Sequence, residues 1–253
     1  MAGTGETLNR LPNSKSGEIV PDNTRKLISA LALCGLAWGS QSAHAATTTL
    51  DYQGSAYGYI GGTIKADFNG SPLTLESKSV SAGGFNMLVT SPTPQQSLIA
   101  WCVDVFHWLD PTPFVYTNGN AATLNNFNDL QNLVNQRYAL VTDTLTSAAF
   151  QIAVWEIVTE TGGGGYSLAN GTFQATGFGG ALALADSWLN LNGSNTGNYK
   201  IAYFYDGITN DNKYTQNLIS MSPVPLPGAA VLMLSALGLG GAMLRRRSAK
   251  AAS

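Results

Sequence analysis

From Thr47 to Thr90 apolar and polar positions alternate in short runs broken by Gly, Asn and Pro. Runs such as Tyr57-Gly58-Tyr59-Ile60-Gly61-Gly62 and Phe85-Asn86-Met87-Leu88-Val89 have the look of antiparallel strands, whose side chains repeat every second residue. After a Pro-containing break at Ser91 to Gln96, the segment Leu98 to Leu109, closed by Asp110-Pro111, reads as one long, mostly buried strand. Four Asn-Gly pairs, starting at Asn69, Asn118, Asn170 and Asn192, predict turns. The middle of the chain changes period. Leu124, Phe127, Leu130, Leu133, Val134, Tyr138 and Val141 recur at three and four, which is helix spacing. A second helix is expected to start near Thr144 to Ser147 and to run through Val158, stopping before the glycines at Gly162 to Gly165. A third covers Ala181 to Leu191, and Tyr199 to Tyr205 and Leu218 to Met221 return to strand. Strands, helices, strands predict an α+β domain: an antiparallel β-sheet or sandwich with a central segment of two to three helices.

The two ends follow different rules. Arg25 and Lys26 precede an apolar run from Leu27 to Trp38, and Ala43-His44-Ala45 then supplies a small-x-small cleavage pattern. Residues 1–45 therefore read as a secretory signal peptide with an extended n-region, cut after Ala45. A permanent N-terminal membrane helix is the weaker reading, because the run is short for a bilayer. At the other end the extended segment Pro223-Val224-Pro225-Leu226-Pro227 leads into an apolar run from Gly228 to Leu244, closed by Arg245-Arg246-Arg247. Seventeen residues at ~1.5 Å rise give about 25 Å, just enough for a transmembrane helix. The arginines favour the cytoplasmic side, leaving the domain outside. The chain thus divides into 1–45, an exported domain at 46–222 and a tail at 223–253.

Removing the ends changes the charge and the thiols. Residues 46–222 hold five Lys and Arg against twelve Asp and Glu, so the domain is acidic and a nucleic-acid partner is disfavoured. Cys34 leaves with the signal peptide, and Leu33 argues against its use for lipid attachment. Cys102 remains as a lone cysteine, so the domain can form no intramolecular disulfide. His107 is its lone histidine, which excludes His-rich metal sites and His-Glu-x-x-His. Neither a metal nor a cofactor is expected. On one extended strand Cys102 and His107 point to opposite faces, so a Cys–His nucleophile pair is not expected, and no catalytic residue is assigned. His107 reads as a strand residue with one satisfied nitrogen. Asp206 to Asp211 reads as a solvated loop.

Gln151 is the unusual residue. A helical wheel puts it on the side of Ala148, Val154, Trp155 and Val158, while Glu156 and Glu160 fall towards the other side. A buried amide without partners costs on the order of a few kcal/mol, so it must be bonded or transformed. It could bond a neighbouring backbone group. Alternatively the Cys102 thiol could condense with the Gln151 carbonyl, releasing ammonia and leaving an internal thioester, shielded from water by Trp101, Trp108 or Trp155.

Two resemblances sharpen this picture. Val224-Pro225-Leu226-Pro227, the Gly/Ala/Leu helix with Ser235-Ala236-Leu237-Gly238, and Arg245 to Arg247 together resemble the PEP-CTERM sorting signal of Gram-negative bacteria, in the variant with Leu226 where Glu is commoner. That resemblance implies handling by an exosortase-type enzyme, transient anchoring in the inner membrane, and delivery to the cell surface, biofilm or exopolysaccharide matrix. Trp101-Cys102-Val103-Asp104, followed by Ala149-Phe150-Gln151-Ile152-Ala153-Val154-Trp155-Glu156-Ile157, resembles the paired signatures of bacterial surface thioester domains. It implies that Cys102 and Gln151 form the thioester and that the domain is a covalent adhesin, its ligand a surface amine or polysaccharide. Phe150 and Trp101 depart from the residues that commonly precede the Gln and the Cys in that family. A non-catalytic structural component of the matrix is the alternative expectation.

Overall fold

The structure, a computed structural model, describes residues 46–67, 75–161, 165–191, 197–206 and 214–224. The cleavage residues Ala43 and Ala45, the tail residues Pro225, Leu226 and Pro227, the apolar run after them, and Arg245, Arg246 and Arg247 lie outside the described residues. So do the expected turns at Asn69 and Asn192. Among the described residues no helix is long and apolar enough to cross a membrane.

Nine strands and three α-helices make an α+β fold with antiparallel sheet throughout the described residues. The strands are β1 (Thr47–Ser55), β2 (Ile60–Ala66), β3 (Glu76–Ala82), β4 (Phe85–Ser91), β5 (Gln96–Cys102), β6 (Phe114–Gly119), β7 (Gln174–Thr176), β8 (Tyr199–Tyr205) and β9 (Leu218–Pro223). The helices are α1 (Phe127–Arg137), α2 (Thr144–Thr159) and α3 (Gly180–Trp188). Six strands, in the order β1-β4-β5-β9-β8-β6, close into a barrel, because β6 pairs back onto β1 through Leu50 and Phe114. The remaining three form a separate sheet in the order β3-β2-β7. The expected sheet or sandwich is therefore a barrel with a small sheet beside it. Closure removes the exposed edges that a six-stranded open sheet would carry.

α2 is where strands and helices meet. It packs on α1, α3 and the strands β2, β3 and β5. Its start is fixed locally: Asp143 accepts from the Thr146 N–H at 2.8 Å, and the Thr146 hydroxyl accepts from the Asp143 N–H at 3.0 Å, a reciprocal cap. Its end is closed by side-chain amides. Asn126 Nδ2 donates to the carbonyls of Ile157 and Glu160 at 2.9 Å each, and Asn125 Nδ2 donates to Glu160 at 2.8 Å. Ser147 through Ile157 are all buried, so over that stretch the helix has no solvated face.

Several sequence expectations are corrected. The strand expected from Leu98 to Leu109 ends at Cys102. Val103 N–H makes one more bond, to the Asn217 carbonyl at 2.9 Å, and Asp104 then turns the chain by accepting from Phe106 N–H at 2.9 Å. Tyr57 to Tyr59 precede β2 rather than belonging to it. Asn118-Gly119 ends β6 instead of making a turn: a Cβ at Gly119 would lie 2.4 Å from the Tyr203 ring, so glycine is needed there for packing. Asn170-Gly171 is a turn, with Gly171 at φ +103°. β9 extends through Pro223, and Val224 N–H donates to the Asn198 carbonyl at 2.9 Å. The barrel thus reaches the first residue of the Val224 to Pro227 motif.

Candidate functional site

The site is built where two strands part. β4 accompanies β5 as far as the pair Phe85 and Ala100, while β9 continues along the other side to the pair Cys102 and Leu218. On the β4 side the peptide groups of Cys102 are therefore left without a strand neighbour. Gln151 supplies what is missing. Its Oε1 accepts from the Cys102 N–H at 3.0 Å and its Nε2 donates to the Cys102 carbonyl at 2.8 Å. The side-chain amide stands in for a missing strand. The flanking residues hold the alignment: Trp101 packs edge-on against Phe150 and against Tyr138, with ring centroids 5.3 Å apart in each case.

The thiol is fully enclosed. Cys102 is 0% exposed and Gln151 is 1% exposed. Cys102 Sγ donates to the Asp104 carbonyl at 2.9 Å and accepts from the Asp104 N–H at 3.2 Å. Burial pushes its pKa up to about 12, against opposing pulls from the Trp155 indole and from the Asp104 backbone. The resting sulfur is consequently a protonated thiol at neutral pH.

The expected separation of Cys102 and His107 on one strand does not hold, because that strand has ended. His107 instead turns its Nδ1 to Asp104 Oδ2 at 2.7 Å and stacks on Tyr214. One of its nitrogens is satisfied, as expected, but from a loop. The Cys102 sulfur bonds to the Asp104 backbone, not to the imidazole. Among the described residues no group of three or more His, Cys, Asp or Glu could hold a metal. Asp206 accepts from Thr215 N–H at 3.0 Å, while Asp211 lies outside the described residues.

A groove of about 850 Å³ runs between the face of β2 and β3 and the loop that follows β5. Tyr59, Phe85, Phe106, His107, Trp108 and Trp155 contribute to its walls. Trp108 is 65% exposed, which corrects its expected role as a shield; Trp101 and Trp155 are buried. Phe106 is exposed as well, at 45%. Trp155 lines the groove, and its indole also favours the ionised form of the Cys102 sulfur.

Behind α2, the side away from Gln151, to which Glu156 and Glu160 fall, is covered. Glu156 is fully buried and accepts from Ser167 N–H at 2.7 Å; Glu160 accepts from Thr172 N–H at 2.8 Å. Both carboxylates thus clasp the 165–172 segment. Compared with family models, curated proteins and solved structures, the chain gives no match.

Proposed function

We propose that residues 46–222 are an exported, adhesin-type surface domain whose Cys102 and Gln151 condense into an internal thioester for covalent attachment to amines. In this reading the Val224 to Pro227 motif, the apolar run and Arg245 to Arg247 are a PEP-CTERM-type sorting signal. An exosortase-type enzyme acts on that signal after transient inner-membrane anchoring, and the domain reaches the outer surface or the exopolysaccharide matrix. The observation that carries the thioester is the reciprocal pairing of the Gln151 amide with the Cys102 peptide, both fully buried.

The chemistry follows from those contacts. Sulfur attacks Cδ of Gln151, the Cδ–Nε2 bond breaks, and the thiol proton leaves with the nitrogen as ammonia. Negative charge builds on Oε1 during attack, and the Cys102 N–H, 3.0 Å away, already donates to that atom. The resulting acyl bond lies where water is excluded, so it persists until an amine reaches it. An amine nitrogen then forms an amide with Gln151 and returns the thiol. The exposed Phe106 and Trp108 provide apolar surface for a target beside the site.

One specific observation favours a second reading, a non-covalent structural component of the matrix: Gln151 already completes the β5 ladder as an ordinary amide. Intact mass of the exported protein separates the two. The thioester form is lighter by one ammonia, and Cys102→Ala and Gln151→Ala both abolish the difference. An unmodified mass, with one thiol alkylated on unfolding, sinks the thioester and leaves the structural reading. The adhesin reading also requires that Cys102→Ala loses covalent capture of a surface amine.

A further inference from the structure

Trp155 follows Gln151 by four residues on α2, so the two side chains share one helix face. Trp155 thus stands one turn along α2 from the amide that bonds the Cys102 peptide. Its ring is 3% exposed and lines the groove, and among the described residues its buried indole Nε1–H meets no acceptor at hydrogen-bonding geometry. A buried donor left without a partner costs on the order of 1–3 kcal/mol, so its burial asks for a reason. Trp101 Nε1 is likewise unpartnered, but that ring faces Tyr138 and Phe150. The Cys102 sulfur, in turn, accepts from one backbone N–H among the described residues, that of Asp104 at 3.2 Å.

We propose that Trp155 supplies the second donor of a thiolate hole, receiving the Cys102 sulfur as the acyl bond opens, while its ring plugs the passage between that bond and the groove. This rests on the thioester reading above. In the resting thiol the sulfur donates its own proton to the Asp104 carbonyl, so the indole N–H finds no strong acceptor there. When an amine attacks Cδ of Gln151, the C–S bond breaks and its electron pair goes to sulfur. The new thiolate then accepts from two N–H groups, Asp104 and Trp155, until it takes up the proton released by the amine. Anionic sulfur is a stronger acceptor than the thiol, so the indole bond forms when charge appears, which is the condition for lowering a barrier. The pull of Trp155 towards the thiolate form agrees with this role.

Two substitutions separate donor from plug, each made in the full chain and recovered after export. Trp155→Phe keeps an aromatic plug and removes the donor. It is expected to slow opening by methylamine roughly tenfold, and to raise the pH midpoint of Cys102 alkylation in the opened protein by about one unit. Trp155→His, which restores an N–H, recovers part of both. Trp155→Ala removes the plug and hastens loss of the acyl bond to water. An opening rate and an alkylation midpoint both unchanged in Trp155→Phe overturn the donor role. A measurement without substitution stands beside these: the Trp155 indole proton resonance of the wild type moves downfield as the opened thiol is ionised, and a resonance that stays put overturns the proposal. Failure of the thioester reading is visible separately, as a wild-type mass with no loss of ammonia. In that case the indole shift and the alkylation midpoint still report whether Trp155 touches the sulfur.

Discussion

At the scale of single residues, burial decides the chemistry. Cys102 and Gln151 could be paired in the sequence because a lone thiol and an amide on an apolar helix face both demanded an explanation. Trp155 was placed on the Gln151 face by the same wheel, but its unpartnered N–H is visible only once β5 lies beneath α2. Glu156 could not be read at all. Helical periodicity assigned it to the side away from Gln151, and only the folded chain covers that side. Burial, reinforced by the negative charges of Glu160 and Asp186, raises its carboxyl to about 7, although the Ser167 N–H favours the ionised form. The folded chain therefore holds this proton more tightly than the unfolded chain does. Stability from this group is full below about pH 4.5, declines as pH rises to about 7, and is flat above that. Chemical denaturation across pH 4.5 to 8 should show a loss on the order of a few kcal/mol over that window. Glu156→Gln should flatten the slope. A slope that survives in Glu156→Gln assigns it to another group.

At the scale of elements, what was legible was local. α2 was readable because its cap, its apolar run and the following glycines lie within a few residues of one another. β8 was readable for the same reason. β6 and β7 were not read: β7 is three residues long, and β6 is recognisable through its pairing with β1 and β8, which lie far away in sequence. The long strand through Cys102 was overextended because apolar content persists to Leu109, while the turn depends on the Asp104 carboxylate. The small sheet depends on a residue that periodicity cannot weigh. A Cβ at Gly62 would lie 2.5 Å from the ring of Phe178, which is fully buried. Gly62→Ala should therefore push β2 and the Phe178 ring apart and destabilise the domain by roughly 1–3 kcal/mol in thermal or denaturant unfolding. Because β2 also lines the groove, the same substitution should slow amine capture. Wild-type stability in Gly62→Ala would show that the ring can move aside without cost.

At the scale of the whole molecule, the Cys102–Gln151 pairing is a fully buried polar link between the barrel and the helices. Replacing its hydrogen bonds by a covalent bond would tie β5 to α2 across 49 positions of the chain. In the chain-entropy account of cross-links, a loop of that length removes about 4 kcal/mol of freedom from the unfolded state. The acylated protein should then be the more stable form, and opening it should loosen the molecule. Methylamine is the right agent, because the N-methylamide it leaves on Gln151 is uncharged and retains one N–H for the Cys102 carbonyl, now 2.8 Å from Nε2. The melting temperature should fall by roughly 5–15 °C on opening, and Cys102→Ala should melt near the opened form with or without methylamine. Equal melting temperatures for closed and opened wild type would mean that the bond adds nothing to the fold. If the drop is found, capture of a target exchanges an internal cross-link for an external one, and the attached domain is the more easily unfolded state.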